Sequence, residues 1–399
     1  MVEDGGQLPR PPRRVPAGAA TLTQLQTSTP RTPPPPPRRP WKFGRFLAGF
    51  VVVLLILAAG ASAGWYVRAE SLRIDTEKIL EAVRPGVVRV LATTCEGTGE
   101  ASGVLIGDGL ILTAASAIKQ PLSIAIETED GRVRRANPLG TSADGVAVLR
   151  LIGRLDTEPV PLAPPNPDPK AERALLGYTA AGAVTSRSVG TEEQPQALSS
   201  WMNQAKLGGP IIDKTGQVVG LVTGDTVPAS TIVPLEKLRE YVVPNAAGLT
   251  PEAGGTCQRS RGPQNAVVPE LLVASTPLAV ESQKLLGSYL TLLNRHDFAG
   301  LRQQVYSRRL LRAYSEEKDR SSHETSYFFG AKITEVTRYA VDGANVRMTF
   351  TVLFSPNANG AQGQTCNRLD LRYRLVRDSG QLRLDQGTSV ATAQSCDAD

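Results

Sequence analysis

The sequence predicts a multidomain chain: one transmembrane helix, then an all-β barrel domain, then an α+β domain. Three observations carry this. Phe46 to Val67 runs 22 residues without a charge, between Arg45 and Arg68. From Val87 to Gly177 the apolar residues fall in short β-rich runs separated by turn residues. Beyond Leu278 a helical apolar period gives way to long strand-like runs.

The 399 residues are enough for two or three domains with proper cores. The net charge of +6 invites a nucleic-acid reading, but its location argues against one. Residues 1–45 hold eight Arg and Lys against Glu3 and Asp4, which accounts for the whole excess. The same segment carries eleven prolines, including Pro33 to Pro37, and few large apolar residues. It cannot bury enough surface to repay ordering, so it is expected to be disordered with polyproline II character. It reads as a flexible spacer, or alternatively as a docking segment for a proline-binding partner.

The uncharged stretch FLAGFVVVLLILAAGASAGWYV is long enough to cross a hydrocarbon core at about 1.5 Å per residue. Trp41 and Trp65-Tyr66 fall near its ends, where amphipathic aromatics prefer to sit. Arg38, Arg39, Lys42 and Arg45 precede it, so the positive-inside rule places the N-terminus in the cytoplasm and everything after Arg68 outside. Ala61-Ser62-Ala63 resembles a signal-peptide cleavage site, but the segment before the span is far too long for a signal peptide. The expected location is therefore the cell membrane, with extracytoplasmic domains.

All four cysteines, Cys95, Cys257, Cys366 and Cys396, follow the span, an even number suited to an oxidising compartment. Their spacing is unlike a zinc site, and no metal or cofactor is expected. Three pairings are possible.

Asp75 can cap a short helix, Thr76 to Val83, which Pro85-Gly86 stops. Strand-like runs follow at Val87–Ala92, Gly103–Ile106, Leu110–Thr113, Ser123–Glu127, Val146–Leu151 and Ala174–Gly177. Gly107-Asp108-Gly109 and Asp130-Gly131 mark turns between them. Many short strands at this spacing mean an all-β barrel or sandwich. A Pro-rich loop, Pro164 to Pro169, interrupts the middle, and Pro244 to Pro277 reads as an interdomain linker.

The second domain, residues 278–396, opens with a helix over Ser282–Asn294 carrying Leu285, Leu286, Tyr289, Leu292 and Leu293 at helical spacing. A second helix is expected at Phe298–Tyr306, then strands at Thr325–Val341, Asn345–Phe354, Asn367–Arg377 and Leu382–Asp385. Turns fall at Asp342-Gly343 and Asp378-Ser379-Gly380. Continuing the last hairpin register sets Cys366 opposite about residue 392, near Cys396. This favours Cys366–Cys396 and leaves Cys95–Cys257 to pin the linker onto the barrel.

Several motifs in residues 74–243 carry a family resemblance. Val83-Arg84-Pro85-Gly86-Val87-Val88-Arg89-Val90, Ser102-Gly103-Val104-Leu105-Ile106 and Leu110-Ile111-Leu112-Thr113-Ala114-Ala115-Ser116 resemble the opening strands and histidine motif of trypsin-like, HtrA-like serine proteases. Gly208-Gly209-Pro210-Ile211-Ile212-Asp213 with Gly216-Gln217-Val218-Val219-Gly220-Leu221 resembles the segment after their catalytic serine. Thr231-Ile232-Val233-Pro234-Leu235-Glu236-Lys237-Leu238 resembles their closing strand and helix. The resemblance implies a double β-barrel.

It also assigns the catalytic positions, and the chain departs from them. The histidine position falls on Ser116, the aspartate on Asp144, and the serine on Leu207. Ala205 replaces the oxyanion-hole glycine, and a Cβ disfavours the positive φ that glycine tolerates. The chain's two histidines, His296 and His323, lie outside this block. Without an imidazole a serine hydroxyl is a poor nucleophile at neutral pH. Ser199 and Ser200 lie off the motif, and a Ser-Lys arrangement through Lys206 would need that lysine deeply buried. Asp144, expected to be partly buried, would take a hydroxyl donor from Ser116 as a structural remnant.

Tyr289-Leu290, Leu293-Asn294, Asp297-Phe298 and Leu301 are similar to the opening of NTF2-like domains. Such a cone implies a small-molecule pocket, sometimes catalytic, or a docking module. His296 and Asp297 as an acid-base pair would be the enzymatic version, but both read as surface or cap residues, and His323 as a loop residue. The expectation is a catalytically degenerate protease domain that is not an enzyme. It would bind an extended peptide or envelope protein, with the membrane as a further partner and no nucleic acid. Chemistry or small-molecule binding in the C-terminal cone is the alternative.

Overall fold

The structure, a computed structural model, describes residues 43–107, 109–190, 200–242 and 248–398. Expectations for residues 1–42, Asp108, Ser199 and the linker's start at 244–247 lie outside these residues. The chain divides into two compact units, Met1–Gly64 and Trp65–Asp399. Helix α1 spans Phe43–Leu72 and is the one helix among the described residues long and apolar enough to cross a membrane, judged by length and composition. It exceeds the uncharged stretch at both ends because nothing in Arg68 to Leu72 breaks a helix. Helix α2, Thr76–Val83, starts where the sequence places it: the Asp75 side chain accepts from the Lys78 amide at 3.1 Å.

Six strands close into an antiparallel barrel: β1 (Val87–Thr94), β2 (Glu100–Gly107), β3 (Leu110–Ala114), β4 (Pro121–Glu127), β5 (Val133–Thr141) and β6 (Val146–Leu151), in the order β1-β2-β3-β6-β5-β4. A five-stranded sheet packs beside it, built from β7 (Arg173–Tyr178), β8 (Val184–Val189), β9 (Pro210–Ile212), β10 (Val218–Thr223) and β11 (Thr231–Pro234), in the order β11-β10-β9-β7-β8. Helix α3, Leu235–Val242, closes this block. Strand β1 is buried on nearly every residue because both its faces meet core. The sequence pattern does not reveal β5 and β8, because Arg134, Arg135 and Pro138 blur the alternation in one and Thr185 to Ser188 in the other.

The C-terminal part is helices followed by one sheet. Helices α4 (Pro277–Asn294), α5 (Phe298–Gln304), α6 (Arg308–Ala313) and α7 (Glu316–His323) precede and cover strands β13 (Tyr327–Tyr339), β14 (Gly343–Leu353), β15 (Cys366–Asp378) and β16 (Gln381–Ser389). Short β12 (Glu270–Leu271) runs parallel to β13, and β17 (Gln394–Ser395) pairs with β15. The sequence reading lacks α6 and α7, which are short, α7 strongly polar as well; each is set by a serine N-cap, Ser307 and Ser315.

The linker is a strap fixed along the barrel. Thr250 and Thr141 exchange backbone bonds at 2.8 and 2.9 Å, Arg261 bridges Thr94, and Cys95–Cys257 closes covalently with Cα atoms 5.7 Å apart. Cys366–Cys396 forms as well, as the register argument requires: Asn367 lies opposite Ser395 and the Cys396 amide donates to Cys366 O. That second disulfide sits in the seam, where Leu91, Ala125 and Val133 of the barrel pack on Phe329, Leu353, Cys366 and Cys396. An ion network lies beside it, with Arg89 against Glu100 at 2.5 Å and Glu127 at 3.3 Å, and Asn265 of the strap bonding Glu100. Burial pushes the Glu127 carboxyl above its ordinary value, against the pull of Arg89. Barrel and C-terminal domain therefore meet through a small apolar seam of their own, beside the separate core of each.

Candidate functional site

The barrel and its neighbouring sheet meet at an open cleft of about 610 Å³ lined by Ser116, Asp144, Thr223, Gly224 and Asp225, with Glu252 from the strap. Two of the three positions assigned by resemblance are thus brought together. Ser116 sits in a 3₁₀ turn, Ala115–Ile118, that follows β3, and Asp144 in the tight turn before β6. Leu207 does not line the cleft. It is wholly buried in the barrel core beneath it.

The expected Ser116–Asp144 hydrogen bond is absent, and each side chain has another partner. The Ser116 hydroxyl donates to the Gly224 carbonyl at 2.7 Å. Asp144 is exposed rather than partly buried, and its Oδ2 accepts a hydrogen bond from the Tyr241 hydroxyl of α3. Burial, reinforced by this carboxylate, raises the Tyr241 phenol above its ordinary value. The Asp144 backbone is held separately, its carbonyl accepting from Thr223 Oγ1 at 2.8 Å. The Ser116 hydroxyl has a single proton and gives it to the Gly224 carbonyl at the end of β10, so it has none to donate to Asp144.

The segment before Leu207 folds as a 3₁₀ turn, Gln204–Lys206, started by Asn203, whose side chain accepts from the Lys206 amide at 3.1 Å. The Leu207 amide donates back to Gln204 O at 3.2 Å, so it is taken up within the turn. Ala205 is not among the positive-φ residues; its carbonyl instead accepts from Ser102 Oγ at 2.6 Å. Gly208, at φ +80°, is required: a Cβ there would fall 2.2 Å from Ser102 O.

Lys206 is buried, as a Ser-Lys reading would need, and burial lowers its pKa. Its ammonium, however, bonds the Trp201 carbonyl and lies 3.7 Å from the Trp201 ring centroid, and no described serine hydroxyl bonds it. Ser200 is exposed, off the cleft. Around the cleft, Lys119 pairs with Asp225 at 2.7 Å, and Glu252 accepts from the Gln120 amide at 2.8 Å. Gln204 reaches the Asp225 carbonyl at 3.3 Å.

In the C-terminal domain Asp297 caps α5, accepting from the Gly300 amide at 2.8 Å, as the sequence suggests. His296 is not a plain surface residue: it takes φ +52° after α4, and its half-buried ring stacks on Phe298 at 5.9 Å and lies tilted against Tyr327 at 5.2 Å. His323 lies on α7 rather than in a loop, its Nδ1 2.9 Å from Asp319 O. A cluster that sequence reasoning misses lies inside this domain. Buried Asp319 accepts from the Tyr306 hydroxyl at 3.1 Å and has Arg302 at 3.7 Å, and burial raises its carboxyl pKa. Asp319 Oδ2 and the Tyr373 hydroxyl are buried without a hydrogen-bond partner. Tyr306, Asp319 and Tyr373 stand far apart in sequence, in a connection, a helix and a strand, and leave no spacing signal to find.

Residues 101–221 match the family model of the trypsin-like peptidase domain. No curated protein matches the chain. Among solved structures, the chain is similar to the active form of the Rv3671c protease from M. tuberculosis, at 20 % identity over 45 % of this chain and 88 % of that one, TM-score 0.37. It is also similar to a serine endoprotease from Yersinia pestis, at 21 % identity over 42 % of this chain and 64 % of that one, TM-score 0.35. The chain therefore carries, in residues 101–221, a domain of the trypsin-like peptidase family.

Proposed function

We propose that this chain is a single-pass membrane protein, N-terminus in the cytoplasm, whose trypsin-like domain keeps a protease scaffold without its chemistry. It serves as a peptide- or protein-binding scaffold of the cell envelope. The observation that carries this is Leu207: at the nucleophile position stands an apolar side chain with none of its surface exposed, in a domain whose sequence holds no histidine. The separate engagement of Ser116 by Gly224 and of Asp144 by Tyr241 supports the same reading. An extended ligand pairs to a strand edge through backbone hydrogen bonds and needs no triad. The basic cluster before the apolar span supports the orientation. The experiment is to measure binding and turnover on one sample: extended peptides should bind weakly and be recovered intact, and cleavage of casein or any peptide would sink the proposal.

A second reading places a small-molecule or enzymatic site in the C-terminal domain, whose order of helices then sheet is similar to an NTF2-like cone. Two buried atoms without a hydrogen bond, the Tyr373 hydroxyl and Asp319 Oδ2 (which has only Arg302 at 3.7 Å), favour it, because such groups call for an explanation. If they serve no ligand, Tyr373→Phe leaves stability equal or higher and changes nothing else.

A further inference from the structure

The chain passes from the apolar helix into the barrel almost at once. Trp65, Tyr66 and Val67 close the apolar stretch of α1 as exposed side chains, and Ile74 already packs against the barrel core with Ile79 and Val83 of α2. From Val67, five residues of helix at about 1.5 Å and two extended residues at about 3.5 Å reach at most about 15 Å. The headgroup layer on one side of a bilayer takes up roughly 5–7 Å of that. What remains is about the thickness of one layer of side chains.

Two contacts fix which part of the barrel lies there. Lys214, in the turn between β9 and β10, donates from Nζ to Ser71 O at 2.9 Å, and Glu172 Oε2 accepts from the Ile74 amide at 3.1 Å. Ser71 is four helical residues beyond Val67, at most about 6 Å along the axis. Lys214 is thus held at headgroup depth. The turn is built for exposure: Asp213 Oδ1 accepts from the Thr215 and Gln217 amides, leaving Lys214 and Thr215 outward. The cleft lies at the other end of β10, where Thr223 and Gly224 line it, roughly 20 Å along the strand.

We propose that the β9–β10 turn, with Lys214 and Thr215 at its tip, is a lipid-contact surface that seats the barrel on phospholipid headgroups and leaves the cleft open to soluble partners. This rests on the membrane-anchor reading above. The seating follows from tether length and from contacts made by the chain as it leaves the helix, so it holds for zwitterionic and anionic lipid alike.

The test uses the full chain with both disulfides intact, in nanodiscs of phosphatidylcholine carrying a headgroup-linked acceptor dye. A donor dye is placed at Thr215→Cys or, as the cleft reference, at Ala143→Cys; both positions are exposed. Energy transfer should be several-fold stronger from position 215 than from 143, and Lys214→Ala should narrow the difference. Equal transfer from both positions, or stronger transfer from 143, would overturn the seating while leaving the anchor standing. A chain that fails to enter nanodiscs would overturn the anchor and the seating together.

Discussion

Replacing Leu207 with serine restores the family's nucleophile by name and should yield only a less stable protein. Leu207 has no exposed surface and packs in a core cluster with Ala114, Leu175, Ile211 and Val222. Its amide and carbonyl are already engaged, by Gln204 O at 3.2 Å and by the Ser102 amide at 2.8 Å, so the backbone cannot shift freely to fill the space. Truncating a buried leucine costs about 2–5 kcal/mol through lost transfer energy and the cavity left behind. A hydroxyl buried without a partner adds about 1–3 kcal/mol. A net loss of about 4 kcal/mol lowers the melting midpoint of a chain this size by on the order of 10 °C. Calorimetry on the purified Leu207→Ser chain measures this, and the same sample is offered a fluorophosphonate. An unchanged melting point would show that Leu207 is not core, and labelling of the introduced serine would show that a base is present; either result refutes the reasoning.

Adding Ser116→His to that variant should still give no hydrolysis of peptide substrates, with or without Tyr241→Phe, because position 207 lies buried beneath the cleft; turnover in either variant would contradict this. Ser116→Ala frees the Gly224 carbonyl for strand pairing and should tighten extended-peptide binding about three- to tenfold by calorimetric titration, the worth of one net hydrogen bond. Removing a disulfide should cost about 3.5 kcal/mol for Cys366–Cys396 and about 5 kcal/mol for the longer Cys95–Cys257 loop, read by denaturant titration of alanine variants. Burial lowers the pKa of both His296 and His323, so the unfolded chain binds more protons below about pH 6.5. Stability is then fully present above that value and falls as pH drops through the depressed folded pKa values; denaturant midpoints at about pH 7.5 and about pH 5.5 should differ in that direction, and less so in His296→Gly, which also relieves the positive φ.

Much of the fold was legible because its signals are local. Asp75 capping Thr76–Val83, the glycine-marked turns and the β-rich run Val146–Leu151 each need only neighbours in sequence, and each element appears within a few residues of its expected place. The Cys366–Cys396 pairing was legible for a related reason: one hairpin turn sets the approximate register, and the chain returns after Ser389 as β17, which puts Ser395 opposite Asn367. The site was legible in identity and not in contact. Ser116, Asp144 and Leu207 follow from motif position, but the Tyr241–Asp144 and Ser116–Gly224 bonds join residues 97 and 108 apart, and only the packing of α3 and β10 decides them. The strap looks like a linker in sequence because prolines and glycines at 248–277 suit a fixed extended segment as well as a free one. His296 looks exposed in sequence because helix-terminal polarity says nothing of the aromatic rings that fold over it.

Serine-directed fluorophosphonate labelling of the unmodified full chain, followed by peptide mapping, tests the central claim most directly. The account predicts no adduct on any serine, Ser116 and Ser200 included, at concentrations that label an active trypsin-like protease completely. An adduct at any serine of the barrel domain would mean that an activated nucleophile survives there, and would contradict the reading of this domain as a scaffold without chemistry.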